Sequence, residues 1–263
     1  VDGLRNVEHG DLKVNLNSRR RDEFGFLYRQ FDSMVAGLDR TMTRLIEQET
    51  LVRQAELKQL QYQINPHFLY NSIYHMYRMA RAEDYECIAD YALHLGSYFE
   101  FITRGGGGMT TLAEEAVHAR NYMEIQRIRF GGRIQPHIVE PAGRAAAVPV
   151  PRLILQPLLE NAYNHGLANC PGGGLIQLLV EEQTDWVDVI VQDNGPDLED
   201  GTIAALRDNL ARSDTGEAAA LSGLINIHRR LGLQFGRESG LRLDRGPIGG
   251  LRVMFRIPIT GEW

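Results

Sequence analysis

The sequence predicts a multidomain chain: an all-α dimeric coiled coil and four-helix bundle, followed by an α+β sandwich. Three observations carry this. Apolar residues recur at steps of three and four from Phe24 to Leu38 and on towards Ile64, with no Pro or Gly across residues 38–64. A run of glycines at 105–108 then breaks the pattern. Beyond it, helical and strand-like stretches mix without a regular βαβ rhythm, which favours an α+β layer architecture.

Taken in order, residues 1–40 are charged, with alternating Leu12, Val14 and Leu16 after a Gly-Asp turn. Asp22 is a helix N-cap candidate with Glu23 in the first turn. Phe24, Leu27, Phe31, Met34 and Leu38 then share one helix face, which continues through Met42, Leu45 and Val52 and resumes at Leu57, Leu60 and Ile64. So long a helix cannot bury a stripe against itself. A second helix of a dimeric coiled coil is the economical cover, with a phase change near 52–57; a single long helix packed in a globule is the alternative. Helix is expected to continue past Pro66, kinked there, to a turn near 82–85, and a second helix to run to about 104. Two such hairpins make a four-helix bundle. After the glycine hinge, helices are expected at 111–130, 151–165 and 221–235. Strands are expected at 175–180, 187–192, 241–245 and 251–259, and residues 133–148 read as extended and turn-rich.

Bulk composition excludes some classes. The chain has 263 residues, 43% of them apolar, 24% charged, with net charge −6. That is ordinary for globular protein and does not suggest a nucleic-acid binder. Cys87 and Cys170 lie far apart with no metal-type spacing, so a reduced, cytoplasmic setting is expected. No apolar run approaches the roughly 18 residues of a membrane span. The start at Val1 suggests a piece of something longer.

Several stretches could carry chemistry. His67 lies in QINPHFLYNSI, directly after Pro66. A lone helical histidine is most often an ordinary surface or core residue. Yet a neutral imidazole, with an unperturbed pKa of about 6.5, is a good nucleophile, and Pro66 would help present it. Asn71, four residues on, shares its face. In ENAYNHG, Asn161 and His165 are i and i+4, and Asn164 falls between them. An amide oxygen suits Mg²⁺, which takes few protein ligands beside phosphate and water; a plain polar helix face is the alternative. In VIVQDNGPDL an apolar strand ends in Asp193, with Gly195 allowing close backbone approach. A carboxylate there could accept from an adenine amino group; an Asn-Gly hairpin turn is the alternative.

Together these stretches resemble the LytS/YesM-type sensor histidine kinases. QINPHFLYNSI is similar to the family's phosphoacceptor motif, LAEEAVHARNYMEIQRIRF to its acidic start and terminal Arg-Phe, and PRLILQPLLENAYNHGL to its asparagine box. DNG is similar to its adenine box and GLINIHRRLGLQFG to its second glycine-rich box. The likeness spans roughly residues 55–260 in the right order, and GDL, RDEFGFL and FDSM within 8–40 resemble the second half of a HAMP relay module. The resemblance implies a partial HAMP at 1–40, a signalling helix and phosphoacceptor hairpin at 41–104, and a catalytic GHKL/Bergerat-type ATP-binding domain at 105–263. It implies ATP-dependent phosphorylation of His67, with Asn71 beside it, and transfer to an aspartate of a cognate response regulator. Asn161 would hold Mg²⁺. Asn164, His165, Asp193, Gly195, Gly223 and Leu224 would line the ATP site. A homodimer is implied, with no nucleic acid, and a cell-membrane location through segments upstream of this chain.

The chain also departs from the family pattern. Pro157 stands where related ATP-hydrolysing folds place a water-activating Glu, which suits transfer to a side chain rather than hydrolysis. Asp197 replaces a second glycine of the adenine box, Leu221 a glycine of the later box, Asn164 a Lys-like residue, and Leu251 a Thr. These changes motivate a second reading: a degenerate or weakly active member serving as dimeric scaffold or phosphatase. A third is a helical dimer that only binds a partner.

Overall fold

The computed structural model describes residues 66–104, 108–214 and 223–259, preceded by 22, 24–28, 30–42, 44 and 48. The chain divides into two compact units, Val1–Pro66 and His67–Trp263.

In the first unit the described residues 24–28 and 30–42 are helical. Asp22 caps them as expected, its carboxylate accepting the Gly25 N–H at 3.0 Å. Of the predicted stripe, Phe24, Leu27, Met34, Leu38 and Met42 are exposed. The strand-like stretch at 12–16, the expected phase change, and Leu45, Val52, Leu57, Leu60 and Ile64 lie outside the described residues.

The second unit opens with the expected hairpin, α1 (Pro66–Arg81) and α2 (Tyr85–Thr103). Proline suits a first helical position because its missing N–H would have no partner there. The turn uses Glu83 at φ 59° and Asp84, whose side chain caps α2 by accepting from Cys87 N–H at 3.2 Å. Residues Tyr91, Leu95, Tyr98 and Ile102, at steps of four and three, form the buried face of α2. The run 105–107 lies outside the described residues, but the polypeptide on either side of it shares one core.

A short strand β1 (Met109–Thr111) leads into α3 (Leu112–Arg129), which begins with a capping box between Thr111 and Glu114. This helix buries residues on several sides, from Leu112 and Glu115 through His118, Tyr122 and Ile125 to Gln126. It is wedged between the hairpin and the sandwich, which explains why the predicted apolar side is so broad. The stretch read as extended holds β2 (Ile134–Ile138) and one helical turn, α4 (Gly143–Ala146). Next come β3 (Pro149–Pro151), antiparallel to β1, and α5 (Gln156–Asn161). The remaining elements are β4 (Gly174–Glu182), β5 (Trp186–Asp193), α6 (Asp200–Asp214), α7 (Gly223–Phe235), β6 (Arg242–Arg245) and β7 (Leu251–Pro258). The main sheet has order β2-β4-β5-β7-β6, with β2 parallel to β4 and the other pairs antiparallel. Alternating burial along β4 and β7 turns one face of the sheet towards the helices.

Two expectations need correction. The helix expected at 151–165 begins at Gln156. Pro149–Pro151 are taken by pairing with β1, and Leu153 adopts φ 57°, which no helix continues through. The second concerns α6, which periodicity did not single out; its apolar side is only Ile203, Leu206 and Leu210 amid charged residues.

Candidate functional site

On α1, His67 is exposed and Asn71 lies one turn along. The Asn71 Nδ2 is 3.1 Å from His67 Nε2 and 3.3 Å from Nδ1, so its N–H donates to whichever ring nitrogen lacks the proton. The neighbouring Phe68 turns inward and packs against Tyr98, Phe99 and Tyr122.

The other candidate residues gather at the end of β5. Asp193 is 2% exposed. Burial raises its carboxyl pKa, against the backbone N–H bonds from Gly195 and Leu251. The Gly195 bond is 2.8 Å. Three glycines make this packing possible. A Cβ on Gly166 would lie 2.6 Å from Asp193 Oδ1, one on Gly250 would overlap the same oxygen, and one on Gly195 would overlap the Gly166 carbonyl. The carboxylate therefore sits in a cradle walled by main chain, the kind of close approach that glycine allows. Asn194 does not turn a hairpin. Its Oδ1 accepts from Leu175 N–H at 2.7 Å and its Nδ2 donates to the Gly173 carbonyl at 2.9 Å, which locks the end of β5 to the start of β4.

The asparagine segment reaches this cradle from the helix side. After α5 the chain widens into a π turn, Ala162–Gly166, ending on the glycine that touches Asp193. Such turns are rare and occur often at functional sites. The wider turn loosens the i,i+4 stacking expected for Asn161 and His165. Asn161 is half-buried, while Asn164 and His165 are exposed. The second glycine-rich stretch joins at α7: a Cβ on Gly223 would lie 3.1 Å from the Pro157 side chain. Leu224 is buried in the apolar core, and Leu221 and Ser222 lie outside the described residues. Asp197 is exposed and accepts from Asn169 Nδ2 at 3.3 Å. The structure thus joins the turn that carries Asn164 and His165 to Asp193 and Gly195 through Gly166, and sets Gly223 against Pro157 at the start of the helix that carries Asn161. His67 and Asn71 stand on the hairpin.

The chemistry of these groups would suit an adenine nucleotide. A buried acceptor in a cradle without side chains suits a flat base, and an amide oxygen on an adjoining turn suits a phosphate-bound cation. Among the described residues no group of three or more His, Cys, Asp or Glu could hold a metal by itself. A cation here would rely on phosphate and water, and the half-buried Asn161 amide is a group that could add one oxygen.

Sequence reasoning did not find Glu115, Gln156, Tyr98 or His118. Glu115 accepts backbone N–H groups from Leu153 and Ile154 at 2.5 and 3.1 Å, holding the chain into α5. Gln156 bonds to Tyr98, His118 and Glu160. Nothing in their spacing marks them, since their hydrogen-bond partners lie 38 or more residues away or inside an ordinary helical turn.

A family model described as histidine kinase matches residues 55–134, and one described as HAMP domain matches residues 1–40. Sensor histidine kinase YesM of Bacillus subtilis (strain 168) is 31% identical over 266 residues, covering 100% of this chain and 44% of the relative. Sensor histidine kinase/phosphatase LytS of Staphylococcus aureus (strain N315) is 31% identical over 246 residues, covering 91% of this chain and 41% of the relative. The chain therefore spans less than half the length of these curated relatives. Among solved structures, the ATP binding domain of PrrB from Mycobacterium tuberculosis is 19% identical with a TM-score of 0.38, covering 58% of this chain and 97% of that one.

Proposed function

The chain is a relative of the LytS/YesM-type sensor histidine kinases, and from that premise we propose that it carries out ATP-dependent phosphorylation of its own His67 and passes the phosphoryl group to an aspartate of a response regulator. The observation that carries this reading is that the asparagine segment, through Gly166, closes against Asp193 in a glycine-lined cradle, while Gly223 packs on Pro157 at the start of the same helix. Asp193 would accept from the exocyclic amino group of adenine, Asn161 would hold Mg²⁺ beside phosphate and water, and the exposed Asn164 and His165 would be available to the phosphates. The His67 ring nitrogen that carries no proton would attack the γ-phosphorus in line: an N–P bond forms, the bond to the ADP oxygen breaks, ADP leaves, and the other ring nitrogen gives up its proton to solvent, which reaches the exposed ring. Positioning and charge neutralisation supply most of the acceleration. Asn71 must release the attacking nitrogen, since an N–H donated to that lone pair blocks it.

In this reading residues 1–40 relay the signal, 41–104 hold the phosphoacceptor hairpin, and 105–263 bind ATP. The chain works as a homodimer. Tyr70, Ile73, Tyr74 and Tyr77 form an exposed stripe on the outer side of α1, and Tyr70 is 73% exposed; a second hairpin would cover it. No described helix is long and apolar enough to cross a membrane. Attachment to the cell membrane would come from segments outside this chain, with the part described here on the cytoplasmic side.

The test is incubation with γ-labelled ATP and Mg²⁺. Acid-labile label is expected on the unaltered chain and none on His67→Ala. Equal labelling of the variant would overturn the assignment.

A second reading follows from Asp197 and Leu251, which stand where the family pattern has Gly and Thr. In it the chain is a weak kinase acting as scaffold or phosphatase. Calorimetric titration with a non-hydrolysable ATP analogue separates the two, because micromolar affinity argues for the first.

A further inference from the structure

We propose that Gln156 is a positioning residue for phosphoryl transfer, tying the helix that bears His67 to the segment that bears Asn161 by way of Tyr98. This rests on the kinase reading above. A glutamine amide has two N–H groups and one acceptor oxygen, and in Gln156 all are engaged. Its Nε2 donates to the Tyr98 hydroxyl and to Glu160 Oε1, both at 2.8 Å. Its Oε1 accepts from His118 Nε2 at 3.2 Å. With both ends occupied, the amide has one satisfied orientation.

Each partner leads to a different part of the machinery. Glu160 immediately precedes Asn161. Burial raises the Glu160 pKa, and the N–H from Gln156 works against that rise, so losing the amide would strip a buried carboxyl of this donor. Tyr98 is 1% exposed, and its ring centroid lies 4.9 Å from that of Phe68. Phe68 follows His67 directly and fixes the rotation of α1 about its axis, because its ring is held in the aromatic socket while His67 faces solvent. His118, stacked on Tyr98 at 4.9 Å, holds the amide from α3. The path from acceptor to Mg²⁺ ligand is thus Phe68 ring, Tyr98 ring and hydroxyl, Gln156 amide, Glu160. It needs no contact between His67 and the nucleotide in the resting arrangement.

Such a link predicts an effect on transfer rather than on nucleotide affinity. Tyr98→Phe removes one hydroxyl and keeps the ring packed on Phe68. At saturating Mg·ATP it should slow His67 labelling roughly tenfold, while the Kd for a fluorescent ATP analogue stays within about twofold. Gln156→Leu should slow labelling at least as much. The double variant should be no slower than Gln156→Leu alone, because both break one connection. Unchanged labelling in Tyr98→Phe would overturn the proposal, as would rate losses that multiply in the double variant or a Kd that rises in step with the rate loss. Should Gln156→Leu fail to fold, the rate and Kd of Tyr98→Phe decide alone. Absence of label on the unaltered chain would overturn the kinase reading itself; normal labelling there with unaffected variants overturns only the role of Gln156.

Discussion

The Glu115 carboxylate, fully buried on α3, lies 2.5 Å from the backbone nitrogen of Leu153, the residue that turns into the left-handed region before α5. The same carboxylate accepts from Ile154 at 3.1 Å and reaches Leu155 at 3.4 Å. The first helix turn after Leu155 has no side-chain cap of its own, so Glu115 does this work from across the core. Glu115→Ala leaves these N–H groups buried without an acceptor. A loss of about 3 kcal/mol is expected in urea unfolding, given roughly 1–3 kcal/mol for each buried group left unpaired. Glu115→Gln keeps one acceptor oxygen and should lose less. A change below about 0.5 kcal/mol in Glu115→Ala, the level of an ordinary surface substitution, would refute the capping role.

His118 makes stability depend on pH. It is 1% exposed, stacked between Tyr98 and Phe101, and among the described residues its Nδ1 has no hydrogen-bond partner. Burial pushes its pKa down to about 4 from the ordinary 6.5. The unfolded chain therefore takes up a proton between pH 6.5 and 4 that the folded chain refuses. Stability from this group is complete above pH 6.5 and is lost as pH falls through that window, by about 3 kcal/mol in all. Denaturant titrations at pH 7.5, 6 and 4.5 should show this slope flattened in His118→Gln; parallel slopes would count against it.

Gly166→Ala should separate nucleotide binding from folding. The new methyl would sit 2.6 Å from Asp193 Oδ1, so the carboxylate or the turn must move. Overpacking of this kind costs about 1–3 kcal/mol, which a domain can survive. Calorimetry with an ATP analogue should find binding weakened at least tenfold, a difference of about 1.4 kcal/mol, while far-ultraviolet circular dichroism stays unchanged. Undiminished affinity would place the base elsewhere.

Charging the outer side of α1 should split the dimer. Ile73 is exposed and flanked by Tyr70, Tyr74 and Tyr77. Ile73→Asp would put an unpaired charge into the proposed helix contact, and sedimentation should register a shift to monomer at micromolar concentration. A variant that sediments like the unaltered chain would move the dimer contact to another surface.

The second hairpin helix and the long strands were legible because each carries a clear pattern: Tyr91, Leu95, Tyr98 and Ile102 on α2, and the alternation along β4. Asp193 and Gly195 were legible because a strand ending in Asp-Asn-Gly is a local signal. The late start of α5 was not. It follows from Glu115, distant in sequence, and from pairing of Pro149–Pro151 with β1, neither of which a window of sequence contains. Gly166 could be seen as a glycine after the asparagine segment, but that it meets Asp193 depends on how the sandwich closes. Gln156 was hidden for the same reason: a glutamine near a helix start looks ordinary until its three partners arrive from other turns and helices.

The glycine cradle has a consequence for inhibitors. Around Asp193 the walls are main chain from Gly166, Gly195 and Gly250, so a compound seated there meets few side chains that mutation could exchange. Escape from such a compound would have to run through the glycines themselves, and every Cβ added at those positions crowds the carboxylate that the proposed nucleotide would also need. Resistance and activity would therefore be lost or kept together.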